Sequence, residues 1–135
     1  MDGSEFTPAE SPDRSRKVWV VWLVSTLIIA ILIAILTLMP TPHMPRSNSH
    51  WDKFAHLTAF LVLVFPTAAL WPRVTAWIGL AAVLYGGVIE LIQPFTGRSA
   101  ELGDLLADGI GVGLGIILGA SLRRAVILRR VQRAR

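Results

Sequence analysis

Nine polar residues stand out in a strongly apolar chain: Asp52, Lys53, His56, Glu90, Gln93, Arg98, Glu101, Asp104 and Asp108. Their types and spacing suit proton transfer and anion binding. Residues three or four apart share one face of a helix. Asp52 and His56 are four apart, and Glu90 and Gln93 are three apart. A carboxylate beside an imidazole fixes its tautomer and raises its basicity, so Asp52 is expected to orient His56. Glu90 and Asp104 offer further acids or bases. Arg98 carries a planar fork that binds phosphate or carboxylate through two bonds, and Lys53 adds a second cation. Gln93 can add neutral hydrogen bonds to the same ligand.

Each of these groups also has a plainer role. Asp52 can cap a helix start while Lys53 reaches toward lipid headgroups. Arg98 can pair with Glu90, Asp104 or Asp108 and hold a loop down. Asp104, Asp108 and Glu101 can favour a helix N-terminus, where negative charge is stabilised. With Glu90 or His56 they can also supply a divalent-cation site. Oxygen donors would favour Mg2+, Mn2+ or Ca2+, and a histidine would admit Zn2+. No recognised motif fixes ligand geometry, so the metal is unassigned and no cofactor is expected beyond this option.

The elements that must position these residues follow from hydropathy. The 135 residues are 53% hydrophobic and 16% charged, against about 25% charged in soluble domains. The apolar residues fall in four blocks, at 18–39, 54–70, 74–92 and 105–122. A membrane-crossing helix needs roughly 20 apolar residues. The expected fold is therefore all-α, a polytopic membrane protein of four transmembrane helices. Residues 18–122 form the membrane domain. Residues 1–17 are expected to be a disordered tail and 123–135 a basic cytoplasmic tail. Gly3-Ser4-Glu5-Phe6 reads as a cloning-site remnant. There is no cysteine, so disulfides and thiolate metal sites are excluded.

Lys and Arg collect in cytoplasmic loops. Arg14, Arg16, Lys17, Arg73 and the six arginines from Arg123 to Arg135 fall on one side of the four blocks. Arg46, Lys53 and Arg98 fall on the other. Both termini are thus expected in the cytoplasm, and the nine polar residues at the extracytoplasmic end. The basic tail reads as a topology signal that contacts anionic lipid, and no nucleic-acid partner is expected.

Helical spacing turns the polar residues inward. Glu101, Asp104, Asp108, Gly111, Gly115 and Gly119 advance by three or four residues, provided helix 4 begins near Ser99. Glycines at this spacing let helices approach closely in lipid. Gly111, Gly115 and Gly119 are therefore packing residues, and the stripe should carry its carboxylates into the bundle. The short Trp71-Pro72-Arg73 turn makes helices 2 and 3 antiparallel neighbours. Helix 1 is expected to pack outside.

These residues also resemble a known family. Asp52-Lys53-Phe54-Ala55-His56 is similar to the D-K-x-x-H motif of VanZ-like membrane proteins, and Glu90 to Gln93 followed by Arg98 to the family's E-x-x-Q…R segment. Asp104 to Gly111, then Gly115, resembles its D-x-x-x-N-x-x-G-x-x-x-G ending, except that Asp108 stands where the family usually has Asn. The match covers about residues 18 to 122. It implies a bacterial cytoplasmic-membrane protein of the cell envelope, linked to resistance to the glycopeptide teicoplanin.

Two functional readings stand close together. In the first, a small envelope enzyme acts on an anionic lipid or cell-wall precursor at the outer leaflet. His56, Glu90 and Asp104 would handle protons, and Lys53, Gln93 and Arg98 would hold the headgroup. Asp52, Glu101 and Asp108 would support them. In the second, the same residues form a binding cup that limits antibiotic access without chemistry. A proton- or cation-coupled transporter ranks last, because the polar residues sit at one face rather than at the midplane. The oligomeric state is not legible.

Overall fold

A computed structural model describes residues 12–40 and 49–134. Four helices account for nearly all of them: α1, Pro12–Leu38; α2, Ser49–Leu70; α3, Thr75–Ile92; and α4, Leu102–Arg133. A one-turn 3-10 helix, Gln93–Thr96, follows α3. All four long helices are long and apolar enough to cross a membrane. The chain is an all-α, multi-pass membrane protein, as its hydropathy predicts. The cloning remnant, Pro42, Pro45, Arg46 and Arg135 lie outside the described residues.

The first and last helices are longer than their apolar blocks. α1 begins at Pro12, so residues 12–17 are helical rather than part of a disordered tail. Proline suits a helix start, because its fixed φ is helical and its missing N–H has no partner there anyway. The exposed Lys17–Asp13 pair, at 2.6 Å and four residues apart, adds only a little. α4 runs past Leu122 to Arg133. Charge ends a hydropathic block, but it does not end a helix. Arginine is a good helix former, and basic residues in a last turn meet the negative end of the helix dipole. At 1.5 Å per residue, this 32-residue helix is about 48 Å long, well beyond a hydrocarbon core of about 30 Å.

The helices alternate in direction. α2 and α4 lie parallel and pack more closely than any other pair. Gly111 meets the backbone of Leu57, Gly115 that of Leu61, and Gly119 that of Phe65. The three contacts keep one register, each glycine fitting against a carbonyl one turn further along α2. A Cβ on Gly115 would lie 2.7 Å from the Leu61 carbonyl oxygen. The short turn after α2 does make α3 antiparallel to it, but the tighter pairing is with α4. Backbones can come nearest where there are no side chains, and in lipid that close packing is the main source of association.

α3 completes the inner bundle through small residues of its own. Gly79 lies against Val112 and Ile116, and Gly86 lies against Asp108 and Phe60. The core between the helices includes Phe60, Val64, Ala82, Ile89 and Val112. α1 is the outermost helix, with little of its span buried. It is pinned by three polar contacts: Trp22 Nε1 donates to Thr67 Oγ1 at 3.0 Å, Tyr85 donates to the Ala30 carbonyl, and Gln93 Nε2 donates to the Thr37 carbonyl at 3.4 Å. Exposed Val21, Ile28, Ile31, Ile35 and Leu36 face outward, where lipid is the appropriate solvent.

Candidate functional site

The parallel register of α2 and α4 brings the starts of both helices together, and the end of α3 joins them. Asp52, Lys53 and His56 stand on the first turns of α2. Glu90 stands on the last turn of α3. Glu101 caps α4, and Asp104 and Asp108 run down it from its first turn. Five of the nine, namely His56, Glu90, Gln93, Asp104 and Asp108, are buried.

At the floor, His56 Nδ1 lies 2.9 Å from Asp108 Oδ1, with the two side chains only 2% and 0% exposed. This differs from the expected pairing. Asp52 shares the His56 face of α2, but the glycine packing brings Asp108 closer to the ring. With Nδ1 engaged, Nε2 is buried without a partner among the described residues, as is Asp108 Oδ2. Gly86 makes room for this pair, since a Cβ there would collide with the Asp108 carboxylate.

Glu90 ties α3 to α4. Its Oε2 accepts the backbone N–H of Glu101 at 2.8 Å, and Glu101 is the N-cap residue of α4. The first N–H groups of a helix have no partner within it, and a carboxylate at that end is favoured by the dipole. The other oxygen, Oε1, is buried and unpartnered among the described residues. Glu90 is thus both a structural tie and an acid with one oxygen uncommitted.

The rim holds the permanent cations. Lys53 Nζ donates to Glu101 Oε2 at 2.8 Å and to Asp104 Oδ1 at 3.3 Å. Gly103 gives the Lys53 stem its path, because a Cβ there would meet Lys53 Cε at 2.5 Å. Arg98 Nη2 lies 3.3 Å from both oxygens of Asp52. Arg98 therefore pairs with the start of α2 and not with Glu90, Asp104 or Asp108, the partners of the loop-holding alternative. The cause lies in the loop: Gly97, at φ 80, takes the left-handed conformation that glycine adopts at no steric cost. The chain reverses there, and the Arg98 N–H bonds back to the Gln93 carbonyl at 3.1 Å. α4 accordingly starts at Leu102, three residues after the expected start.

Gln93 turns toward α1 instead, through its contact with Thr37. Its Oε1 is buried without a partner among the described residues. One further grouping joins the rim to the floor: a ring nitrogen of His56 and one carboxylate oxygen each of Asp52 and Asp104 lie within 4.8 Å of one another. Spacing along single helices does not reveal this trio, which mixes α2 and α4. Nor does it reveal the role of Gly86. A signal was present, however, because Gly79, Ala82 and Gly86 repeat the small-residue spacing seen in α4.

The opposite end of the bundle is aromatic. Trp19 and Trp22 rings lie 5.8 Å apart, and Trp22 and Trp71 lie 6.2 Å apart. Tryptophan collects at membrane–water interfaces. The polar end and this aromatic end therefore lie near opposite surfaces of the bilayer. No curated protein and no solved structure matches the chain. The family model described as VanZ/LLP1 matches residues 20–123, a stretch that contains all nine polar residues and the glycine seam that gathers them. On that match, this four-helix membrane protein belongs to the VanZ/LLP1 family.

Proposed function

We propose that this protein works at the outer leaflet of the bacterial cytoplasmic membrane on an anionic, lipid-linked envelope component. Residues 18–122 form the working membrane domain, with both termini in the cytoplasm. The orientation rests on the excess of arginine and lysine at the ends of α1 and α4 and in the turn after α2.

One observation carries the reading: the site divides into a fixed floor and an exchangeable rim. The His56–Asp108 pair is buried, and removing one partner of such a pair would leave a buried polar group uncompensated. The rim pairs are partly open, with Arg98–Asp52 at 16% and 43% exposure. Pairs of that kind hold by about 0–1 kcal/mol. An incoming phosphate or carboxylate can take Arg98 from Asp52 and Lys53 from Glu101 at little cost. Their headgroup would then sit above His56, Glu90 and Asp104, which hold or move its protons. Family resemblance connects such an activity with glycopeptide resistance, through altered envelope lipid or altered drug access.

The test separates chemistry from binding. His56→Ala and Glu90→Gln are compared with wild type at equal expression for teicoplanin susceptibility and membrane lipid profile. The expected result is loss of the resistance phenotype and a changed lipid profile in both variants. Unchanged phenotype and lipids in both would end this reading. A binding-only role is favoured by the structural duty already placed on Glu90 at the start of α4. It predicts headgroup binding to purified protein with no new product by mass spectrometry.

A further inference from the structure

We propose that Asp52, His56 and Asp104 form a binding site for one divalent transition-metal cation, Zn2+ or Mn2+, at the mouth of the bundle. Donors at tetrahedral angles around one such ion, each about 2.0–2.2 Å from it, lie about 3.3–3.6 Å apart. The three candidate donors lie within 4.8 Å of one another, so side-chain movements of about an ångström gather them.

The second observation is the state of His56. Its side chain is 2% exposed, its Nδ1 is held by Asp108 at 2.9 Å, and its Nε2 is buried with no partner among the described residues. A metal-ligating histidine almost always has its other ring nitrogen bonded to a carboxylate or carbonyl, which fixes the tautomer and raises its basicity as a ligand. Asp108 supplies that carboxylate. A buried nitrogen left without a partner is costly, and a cation bound at Nε2 would remove that cost.

Charge points the same way. Among the described residues, Asp52, Glu90, Glu101, Asp104 and Asp108 share this end of the bundle with two permanent cations, Lys53 and Arg98. Charges at bilayer depth are expensive unless balanced. Both cations touch the candidate ligands at 3.3 Å, longer than the 2.8 Å between Lys53 and Glu101. Each carboxylate has two oxygens and several acceptor positions, so it can take a metal beside such a partner. One imidazole and two carboxylates suit Zn2+ or Mn2+ better than Ca2+, which takes six to eight oxygens. This inference also deepens the headgroup-binding part of that reading and there rests on it; with the ion bound, His56 and Asp104 hold the metal and proton handling falls to Glu90. A dication with three protein ligands keeps room for a phosphate or carboxylate oxygen, which lets an acidic cup accept an anionic headgroup.

The test uses the full chain, purified in detergent, stripped with EDTA and titrated with Mn2+ alone by electron paramagnetic resonance. One ion per chain is expected to bind. His56→Ala and Asp104→Asn are each expected to weaken binding at least tenfold, while Asp13→Asn at the far end leaves it unchanged. Should the site variants fail to fold, electron spin-echo measurements answer without them. With 15N-histidine label and His43→Gln and His50→Gln in place, coupling of Mn2+ to an imidazole nitrogen is expected from His56. No stoichiometric binding, equal affinity in folded site variants, or no nitrogen coupling would each overturn the site. Binding of phosphatidylglycerol vesicles is then measured with Mn2+ and with EDTA. Equal binding in both removes the metal from headgroup recognition but leaves the headgroup reading intact. Metal binding without vesicle binding supports the site and tells against the headgroup reading.

Discussion

Adding one methyl group at Gly115 should loosen the site two turns above it. The Cβ of Gly115→Ala would stand 2.7 Å from the Leu61 carbonyl oxygen and 3.3 Å from both Leu61 Cα and Phe65 N. Ordinary contact begins at about 3.4 Å, and all three neighbours are backbone, so no side chain can swing away. α2 and α4 must separate by the difference between 3.4 and 2.7 Å, about 0.7 Å. If the helices move as rigid bodies, His56 Nδ1 and Asp108 Oδ1 go from 2.9 Å to about 3.6 Å. That is beyond the 3.2 Å reach of an ordinary hydrogen bond. Overpacking of this kind costs about 1–3 kcal/mol, and loss of a bond to a charged group adds about 1.5–3 kcal/mol. The expected total is roughly 2.5–6 kcal/mol by those figures. Gly113→Ala is the matched control, because its Cβ would meet nothing within 4 Å. Unfolding free energy in detergent and the 15N shifts of the His56 ring are measured for both variants. Wild-type stability with an unchanged His56 spectrum in Gly115→Ala would refute the claim that the glycine seam sets the site geometry.

Asp108→Asn keeps an oxygen that can accept the His56 Nδ1–H, so its unfolding free energy should stay within about 1 kcal/mol of wild type. Asp108→Ala removes the partner altogether and should cost about 3–5 kcal/mol; equal stability of the two variants would show that the pair carries no structural load. Glu90→Gln retains an acceptor for the Glu101 N–H, whereas Glu90→Ala should lose about 0.5–2 kcal/mol, the usual cost of a lost helix cap. Hydrogen exchange of the first α4 amides should rise only in the alanine variant. The chain has no cysteine, so single cysteines report alone on sidedness. With both termini cytoplasmic, Ser99→Cys should react with an impermeant maleimide on intact cells, and Gln132→Cys only after lysis. The reverse pattern would move the site to the inner leaflet.

The amino-acid sequence determined the membrane class, the number of spans and the end of the bundle where the polar residues gather. Hydropathy is a local property, and four apolar blocks separated by turns leave no other all-α solution of that length. The glycine spacing in α4 likewise predicted an inward stripe, because small residues recur where backbones meet. The boundaries were less legible. α1 and α4 continue through charged residues, since a helix needs backbone bonding and not apolarity. Pairing was least legible. Asp52 and His56 are one turn apart and read as partners, yet His56 bonds to Asp108 and Asp52 to Arg98. These bonds join residues 46 to 52 positions apart in the chain. Such pairing depends on the α2–α4 register and on the reversal at Gly97, and neither is encoded in the spacing within one helix. The sequence named the polar groups of the candidate site, and the close approach of two glycine-seamed helices decided which of them touch.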